Sequence, residues 1–235
     1  MTSLQSFESP YRAVVFGAHG GIGRAIIELL QADPACEEVA SFSRSSDPVL
    51  DLTDEASIER AAQSVKQRAP FHLIFDATGV LHDQHMTPEK SLRAVDPAMA
   101  ARSYAVNALG PLLLLKHFQD LMPRGGRCVF ATISARVGSI GDNRLGGWYS
   151  YRASKAALNM FMKTAAIELA RKRPESVCLA LHPGTVKTPL SEPFAGGRAT
   201  LDPKACAGAL LHVIDRTGSD KSGSFLAYDG TDIVW

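Results

Sequence analysis

Apolar positions in this chain fall into short runs that alternate with longer stretches of helical spacing. Residues 11–16, Tyr-Arg-Ala-Val-Val-Phe, form a β-branched run that stops at Gly17-Ala18-His19-Gly20-Gly21-Ile22-Gly23, after which Ala25, Ile26, Ile27, Leu29 and Leu30 recur at helical spacing. The alternation then repeats. It predicts a strand over 37–43, a helix over 54–68 with Thr53 or Asp54 as N-cap, and a strand over 71–75. The polar stretch from His82 to Arg93 reads as a solvated loop, and a long helical segment follows from about 97 to 121. Inside it Pro111 lies four residues after Asn107, so its ring would clash with a helical carbonyl there, and a kink is expected. Next come a buried strand over 126–133 and a helix over 149–172, whose apolar face includes Leu158, Phe161, Met162, Ala165, Ile167 and Leu169. A strand over 177–181, a helix over 203–215 and a strand around 224–228 complete the chain. Strands alternating with helices throughout predict one α/β domain, 1–235, built on a parallel sheet.

Composition narrows the classes without adding chemistry. Of the 235 residues 46% are hydrophobic and 21% charged, as in an ordinary globular protein. Lys plus Arg number 25 against 24 Asp plus Glu, a net charge of +1 that calls for neither nucleic acid nor an anionic membrane as partner. Cys36, Cys128, Cys178 and Cys206 are widely spaced with no C-x-x-C pair, which reads as reduced core thiols. His82, Asp83 and His85 lack a further ligand at fixed spacing, so no metal site is expected. Residues 1–10 have no basic and apolar leader pattern, and the apolar run around Leu112–Leu115 is far short of a span. A cytoplasmic location is the default expectation.

Candidate chemistry gathers at particular positions. The turn at 17–23 follows a strand and opens a helix, as a phosphate site requires: glycines allow close backbone approach, and the free N–H groups of a helix start face the anion. At the end of the second strand stand Ser43 and Arg44, with no carboxylate to accept bonds from ribose hydroxyls. An arginine there can pair with a 2′-phosphate, which favours NADP over NAD, although an exposed loop arginine is also commonplace. Tyr151 and Lys155 sit at i and i+4, so a phenol and an ammonium share one helix face. The cation should favour phenolate and lower the tyrosine pKa from about 10; the same spacing also describes a half-buried ring beside a solvated amine. The stretch 191–200, rich in Gly and Pro, suggests a mobile lid, giving a substrate loop over 190–201.

In combination, Gly17-x-x-x-Gly21-x-Gly23, Asp51, Asn107, Tyr151-x-x-x-Lys155 and Pro183-Gly184-x-Val186-x-Thr188 resemble the short-chain dehydrogenase/reductase family over nearly the whole chain. Gly138-Ser139-Ile140, the run Gly147–Asn159 and the ending from Tyr228 to Trp235 resemble its C-factor and sniffer-type carbonyl reductase branch. The resemblance implies a Rossmann-like, doubly wound parallel sheet with helices on both faces. It implies that Gly17, His19, Gly20, Gly21, Ile22 and Gly23 cradle a pyrophosphate. Ser43 and Arg44 would meet the 2′-phosphate and Asp51 and Leu52 the adenine; Ala77, Thr78 and Gly79 would line the groove; Pro183, Gly184, Val186 and Thr188 would pass along the nicotinamide. Tyr151 would act as general acid, Lys155 would tune it, and Asn107 would hold a relaying water. Partners would be a small carbonyl or alcohol substrate and further copies of the chain, in a homodimer or homotetramer.

Two departures stand out. Asp76-Ala77-Thr78-Gly79 replaces the family's Asn-Asn-Ala-Gly, and the usual catalytic serine position is Ala135. Losing one preorganised donor costs about 3 kcal/mol. Ser134 and Ser139 are the candidates to replace it. The alternative expectation is a cofactor-binding regulatory or signalling protein with weak turnover.

Overall fold

The computed structural model describes residues 3–84, 86–194, 196–197 and 199–235. Strand β1 (Tyr11–Phe16) is buried on both faces except at Arg12, and so pairs on both edges: with β2 (Cys36–Phe42) on one side and β3 (Leu73–Asp76) on the other. Beyond β3 lie β4 (Cys128–Ile133), β5 (Ser176–His182) and β6 (Ser224–Ala227), giving a six-stranded sheet of order β2-β1-β3-β4-β5-β6 in which every pairing is parallel. Near-continuous apolar runs such as Val-Cys-Leu-Ala-Leu in β5 are what a sheet covered on both faces demands.

Alternation along each strand divides the core. Val14 and Phe16 face a layer containing α2 (Glu55–Ser64), α4 (Gly110–Phe118) and α5 (Tyr149–Ala170), whereas Ala13 and Val15 face α1 (Gly21–Gln31) and α6 (Pro203–Arg216). Each fully buried large side chain, Phe16 and Phe130 among them, contributes about 1.5–3 kcal/mol. Asp54 caps α2, Asp96 caps α3 (Pro97–Tyr104) and Asp202 caps α6, each accepting from backbone N–H groups of its first turn. Neither Gly20 before α1 nor Trp148 before α5 supplies a side-chain cap.

The expected kink is a π turn, Ala105–Leu109, set between α3 and α4. Pro111 has no N–H to offer the Asn107 carbonyl, and the ladder resets one residue wider. The helix expected over 54–68 ends at Ser64 and tightens into a 3-10 turn at Lys66–Arg68. Strand boundaries shift by a residue or two, and Cys36 is half-buried while the other thiols are buried. Pro97–Leu121 is long and apolar enough, by length and composition, to cross a membrane, but Leu114, Leu115 and Phe118 within it pack in the core.

Candidate active site

In an open parallel sheet the crevice forms at the carboxyl ends of the strands, where the order reverses. Here β1 connects outward to β2, and the chain then returns to place β3 on the other side of β1. Gly17 follows β1, Ser43 follows β2, Ala77 to Gly79 follow β3, Ser134 and Ala135 follow β4, and Pro183 and Gly184 follow β5. Residues far apart in sequence thus share one edge.

The glycine turn is tight for steric reasons. Gly17 lies at φ 79°, and a Cβ there would sit 2.8 Å from the Ala77 carbonyl oxygen; at Gly23 a Cβ would fall 2.2 Å from the Gly17 oxygen. Gly20 N–H donates to that same oxygen at 2.9 Å, while Ile22 and Ala77 pack against the core beneath. Gly21 leaves room for Thr188, whose Cγ2 would lie 2.8 Å from an added Cβ. With no side-chain cap and no acidic residue in its first turn, α1 presents N–H groups suited to an anion. On the opposite wall Gly184 lies at φ 75° against Tyr228, Val186 is buried, and the Pro183 carbonyl accepts the Cys206 thiol at 3.3 Å.

At the far end of the turn, His19 Nδ1 lies 2.8 Å from Ser45 Oγ and 3.1 Å from Ser43 Oγ, a polar cluster without a carboxylate. Among the described residues none forms a hydrogen bond or ion pair with the Arg44 side chain. Asp51 accepts from Thr53 N–H at 2.9 Å and Thr53 Oγ1 at 2.7 Å, and these bonds hold its carboxyl below the usual range. The Leu52 side chain is turned into the core, where it packs beneath Gly110.

Tyr151 and Lys155 lie on α5, with the Lys155 ammonium 5.9 Å from the centre of the Tyr151 ring. Lys155 is buried and donates to the Ile133 carbonyl at 2.8 Å. Burial lowers its pKa to about 8, with buried Asp76 pulling the other way. Burial also pushes the Tyr151 hydroxyl up, and at this separation the lysine does not offset that; the direction is opposite to the expectation from spacing alone. Among the described residues no side chain or backbone group hydrogen-bonds the Tyr151 hydroxyl. Asn107, fully buried in the π turn, clamps Val80 at both backbone atoms, 2.8 Å each, and its amide also reaches Ser103 and Ser154. Ser154 Oγ in turn donates to the Tyr151 carbonyl at 2.8 Å, tying the π turn to the helix that carries the phenol. Gly79 sits between these groups, where an added Cβ would stand 3.4 Å from Asn107 Oδ1 and 3.8 Å from Lys155 Nζ.

The sequence departures have a local logic. Asp76 takes three short bonds, from Thr132 Oγ1, Thr78 Oγ1 and Thr78 N–H, so the Asp-Ala-Thr-Gly variant binds β3 to β4 through a buried carboxyl. Burial pushes that carboxyl up, against those bonds and the charge of Lys155. Ala135 is half-buried in extended backbone. Neither neighbouring hydroxyl is free to replace a serine there: Ser134 donates to Asn159 Oδ1 at 2.6 Å, and Ser139 donates to the Val234 carbonyl. The Gly141 N–H donates to the Trp235 oxygen at 2.8 Å, and Trp235 stacks on Phe225.

Sequence reasoning missed an aromatic row beside Tyr151. Trp148 meets the Tyr151 ring edge-to-face at 6.1 Å, Phe194 meets Trp148 at 5.3 Å, and His82 meets Phe194 at 5.2 Å. It links the 82–93 segment, the 190–201 loop and the start of α5. His85, considered beside His82 for a metal, lies outside the described residues, as do Ala195 and Arg198 within the loop.

Comparison with known proteins identifies the family and the fold. A family model described as enoyl-(acyl carrier protein) reductase matches residues 17–233. The chain is 32% identical over 232 residues to 1-hydroxy-2-glutathionyl-2-methyl-3-butene dehydrogenase of Rhodococcus sp. (strain AD45), covering 94% of this chain and 98% of that relative. It is 38% identical over 146 residues to the C-signal protein of Myxococcus xanthus, covering 62% and 84% respectively. The NADPH-bound carbonyl reductase from chicken fatty liver superposes with a TM-score of 0.84 at 25% identity, over 98% of this chain and 97% of that one.

Proposed function

This chain belongs to the short-chain dehydrogenase/reductase family of oxidoreductases, and we propose that it reduces a small aldehyde or ketone with NADPH, Tyr151 acting as general acid. The observation that carries the proposal is the Tyr151–Lys155 couple: a phenol with an unclaimed hydroxyl next to a buried ammonium, both beside the glycine-lined crevice. Residues for the dinucleotide fit the group. The uncapped start of α1 suits the pyrophosphate, and His19, Ser43, Ser45 and Arg44 offer donors where a 2′-phosphate would lie. NADPH, when bound, supplies the hydride. A carboxylate to receive ribose hydroxyls is missing after β2, which favours NADPH over NADH.

The chain's own part is proton transfer and orientation. As the carbonyl carbon takes hydride, Tyr151 gives its proton to the oxygen and the product leaves as an alcohol. A raised pKa keeps Tyr151 protonated at neutral pH, the form that reduction consumes. Lys155 would bind the ribose hydroxyls and hold a positive charge on the crevice side of Tyr151, without bringing the phenol pKa down. Because the Asn107 side chain is committed to Val80, holding a relaying water falls to its main-chain carbonyl, to which Pro111 has no N–H to offer. The loop 190–201 and the aromatic row shape the substrate pocket. A cytoplasmic homodimer or homotetramer belongs to the same reading, supported by exposed Tyr104, Leu109, Met160 and Ile167 on the α3–α5 helices; a monomeric mass in solution would overturn that part.

The purified protein should oxidise NADPH with members of a panel of small aldehydes and ketones, and Tyr151→Phe should abolish this. Tight NADPH binding without turnover on any carbonyl would overturn the reductase reading in favour of a regulatory, cofactor-sensing role.

A further inference from the structure

Helix α5 carries the proposed proton donor yet begins without a cap of its own. Gly146, Gly147 and Trp148 all lie at positive φ (63°, 64° and 52°), and Trp148 is the one non-glycine residue with positive φ among those described. A bulky side chain keeps such a conformation only where its surroundings impose it. Those surroundings are Glu89 and Arg152. Glu89, in the loop between β3 and α3, is 5% exposed although it is a carboxylic acid, and its contacts converge on the start of α5. Its backbone oxygen accepts from Trp148 N–H at 2.5 Å; its carboxylate accepts from Ser150 N–H at 3.2 Å and from the Ser150 hydroxyl. Arg152 holds the preceding turn from the other side, donating to the Gly147, Gly146 and Val137 carbonyls at 2.9, 3.1 and 3.2 Å.

Tyr151 lies in the first turn of α5, where backbone N–H groups have no intrahelical acceptor. The ladder starts one residue later, with Arg152 N–H donating to the Trp148 carbonyl at 2.8 Å. The orientation of the phenol therefore depends on how this turn is held. We propose that Glu89 is a positioning residue for Tyr151: by capping α5 from a distant loop it keeps Trp148 left-handed, fixes Ser150, and aims the Trp148 and Tyr151 rings together into the crevice. The proposal rests on the reading of Tyr151 as proton donor for its catalytic consequence, but the hold on the helix start is testable without turnover.

Trp148 and Trp235 are the chain's two tryptophans, so Trp235→Phe leaves Trp148 as sole reporter. In that background Glu89→Ala, Glu89→Gln and Ser150→Ala are compared by Trp148 emission, acrylamide quenching, NADPH affinity and the kinetics of carbonyl reduction. Glu89→Ala should red-shift Trp148 emission, expose it to quencher and lower kcat by about ten- to a hundredfold, leaving NADPH affinity within about twofold. Glu89→Gln, which keeps one acceptor, should recover part of both signals, and Ser150→Ala should move them in the same direction by less. A merely structural role would lower the melting temperature while kcat and emission stayed at parent values below the transition. That pattern in Glu89→Gln and Ser150→Ala overturns the proposal even where Glu89→Ala does not fold. A parent without turnover would count against the reductase reading alone, because Trp148 emission still decides whether Glu89 holds the helix start.

Discussion

Ala135→Ser places a hydroxyl at the end of β4, where the crevice meets the Tyr151 helix. Position 135 has φ −149° and ψ 142°, extended backbone that serine adopts without strain, and its side chain is half-buried, so stability should change little. The neighbouring hydroxyls both have acceptors already, Ser134 donating to Asn159 and Ser139 to the Val234 carbonyl. The substitution therefore adds a donor rather than duplicating one. A hydrogen bond to an oxygen gaining charge contributes about 1.5–3 kcal/mol. At about 1.36 kcal/mol per decade of rate, that is roughly a ten- to 150-fold rise in kcat. KM should move less, because the bond strengthens as charge develops. The assay is steady-state NADPH oxidation with the best carbonyl of the panel, on Ala135→Ser, Tyr151→Phe and the double variant. Tyr151→Phe should remain inactive in both backgrounds, showing that the new hydroxyl assists the phenol without replacing it. A kcat within twofold of the parent, with Tyr151→Phe still inactive, would refute the reasoning: the reacting oxygen would then not lie beside residue 135.

Other expectations address the crevice. Arg44→Ala should weaken NADPH binding by about ten- to a hundredfold while leaving NADH binding unchanged, the loss of one charge-assisted contact; equal losses for both cofactors in a titration would remove Arg44 from the 2′-phosphate. Lys155 titrates near 8, and its function requires the ammonium, so kcat/KM should be level below that pH and fall as pH rises through it. Lys155→Arg should be less active but lose this limb, and a limb that persists in it belongs to another group. Gly23→Ala forces a Cβ against the Gly17 carbonyl and should cost about 1–3 kcal/mol in thermal unfolding together with loss of cofactor affinity. A variant of unchanged Tm and affinity would show that the turn yields easily.

What could be read in the sequence was local. Strand, glycine turn and helix at 11–31, the proline-imposed break at Asn107, and Tyr151 and Lys155 on one helix face all follow from spacing of a few residues, and each stands in the folded chain. The misses are contacts with no local signature. Spacing gives the separation along a helix but not the burial that raises the Tyr151 pKa and lowers that of Lys155. It could not show that Ser134 and Ser139 were committed to Asn159 and Val234. Nor could it show that Glu89, in a charged loop, turns inward to serve a helix 61 residues further on. One signal was available: a helix opening with Gly-Gly-Trp, without Ser, Thr, Asp or Asn at its start, must obtain its acceptors from elsewhere.

Residues 234 and 235 act on the site from outside it. Trp235 and Val234 hold Gly141 and Ser139, and so pin the loop that runs from Ala135 towards the Tyr151 helix. Both bonds are accepted by main-chain oxygens of residues 234 and 235, so the loop is held whatever side chains stand there, and only a shift of that backbone segment would release it.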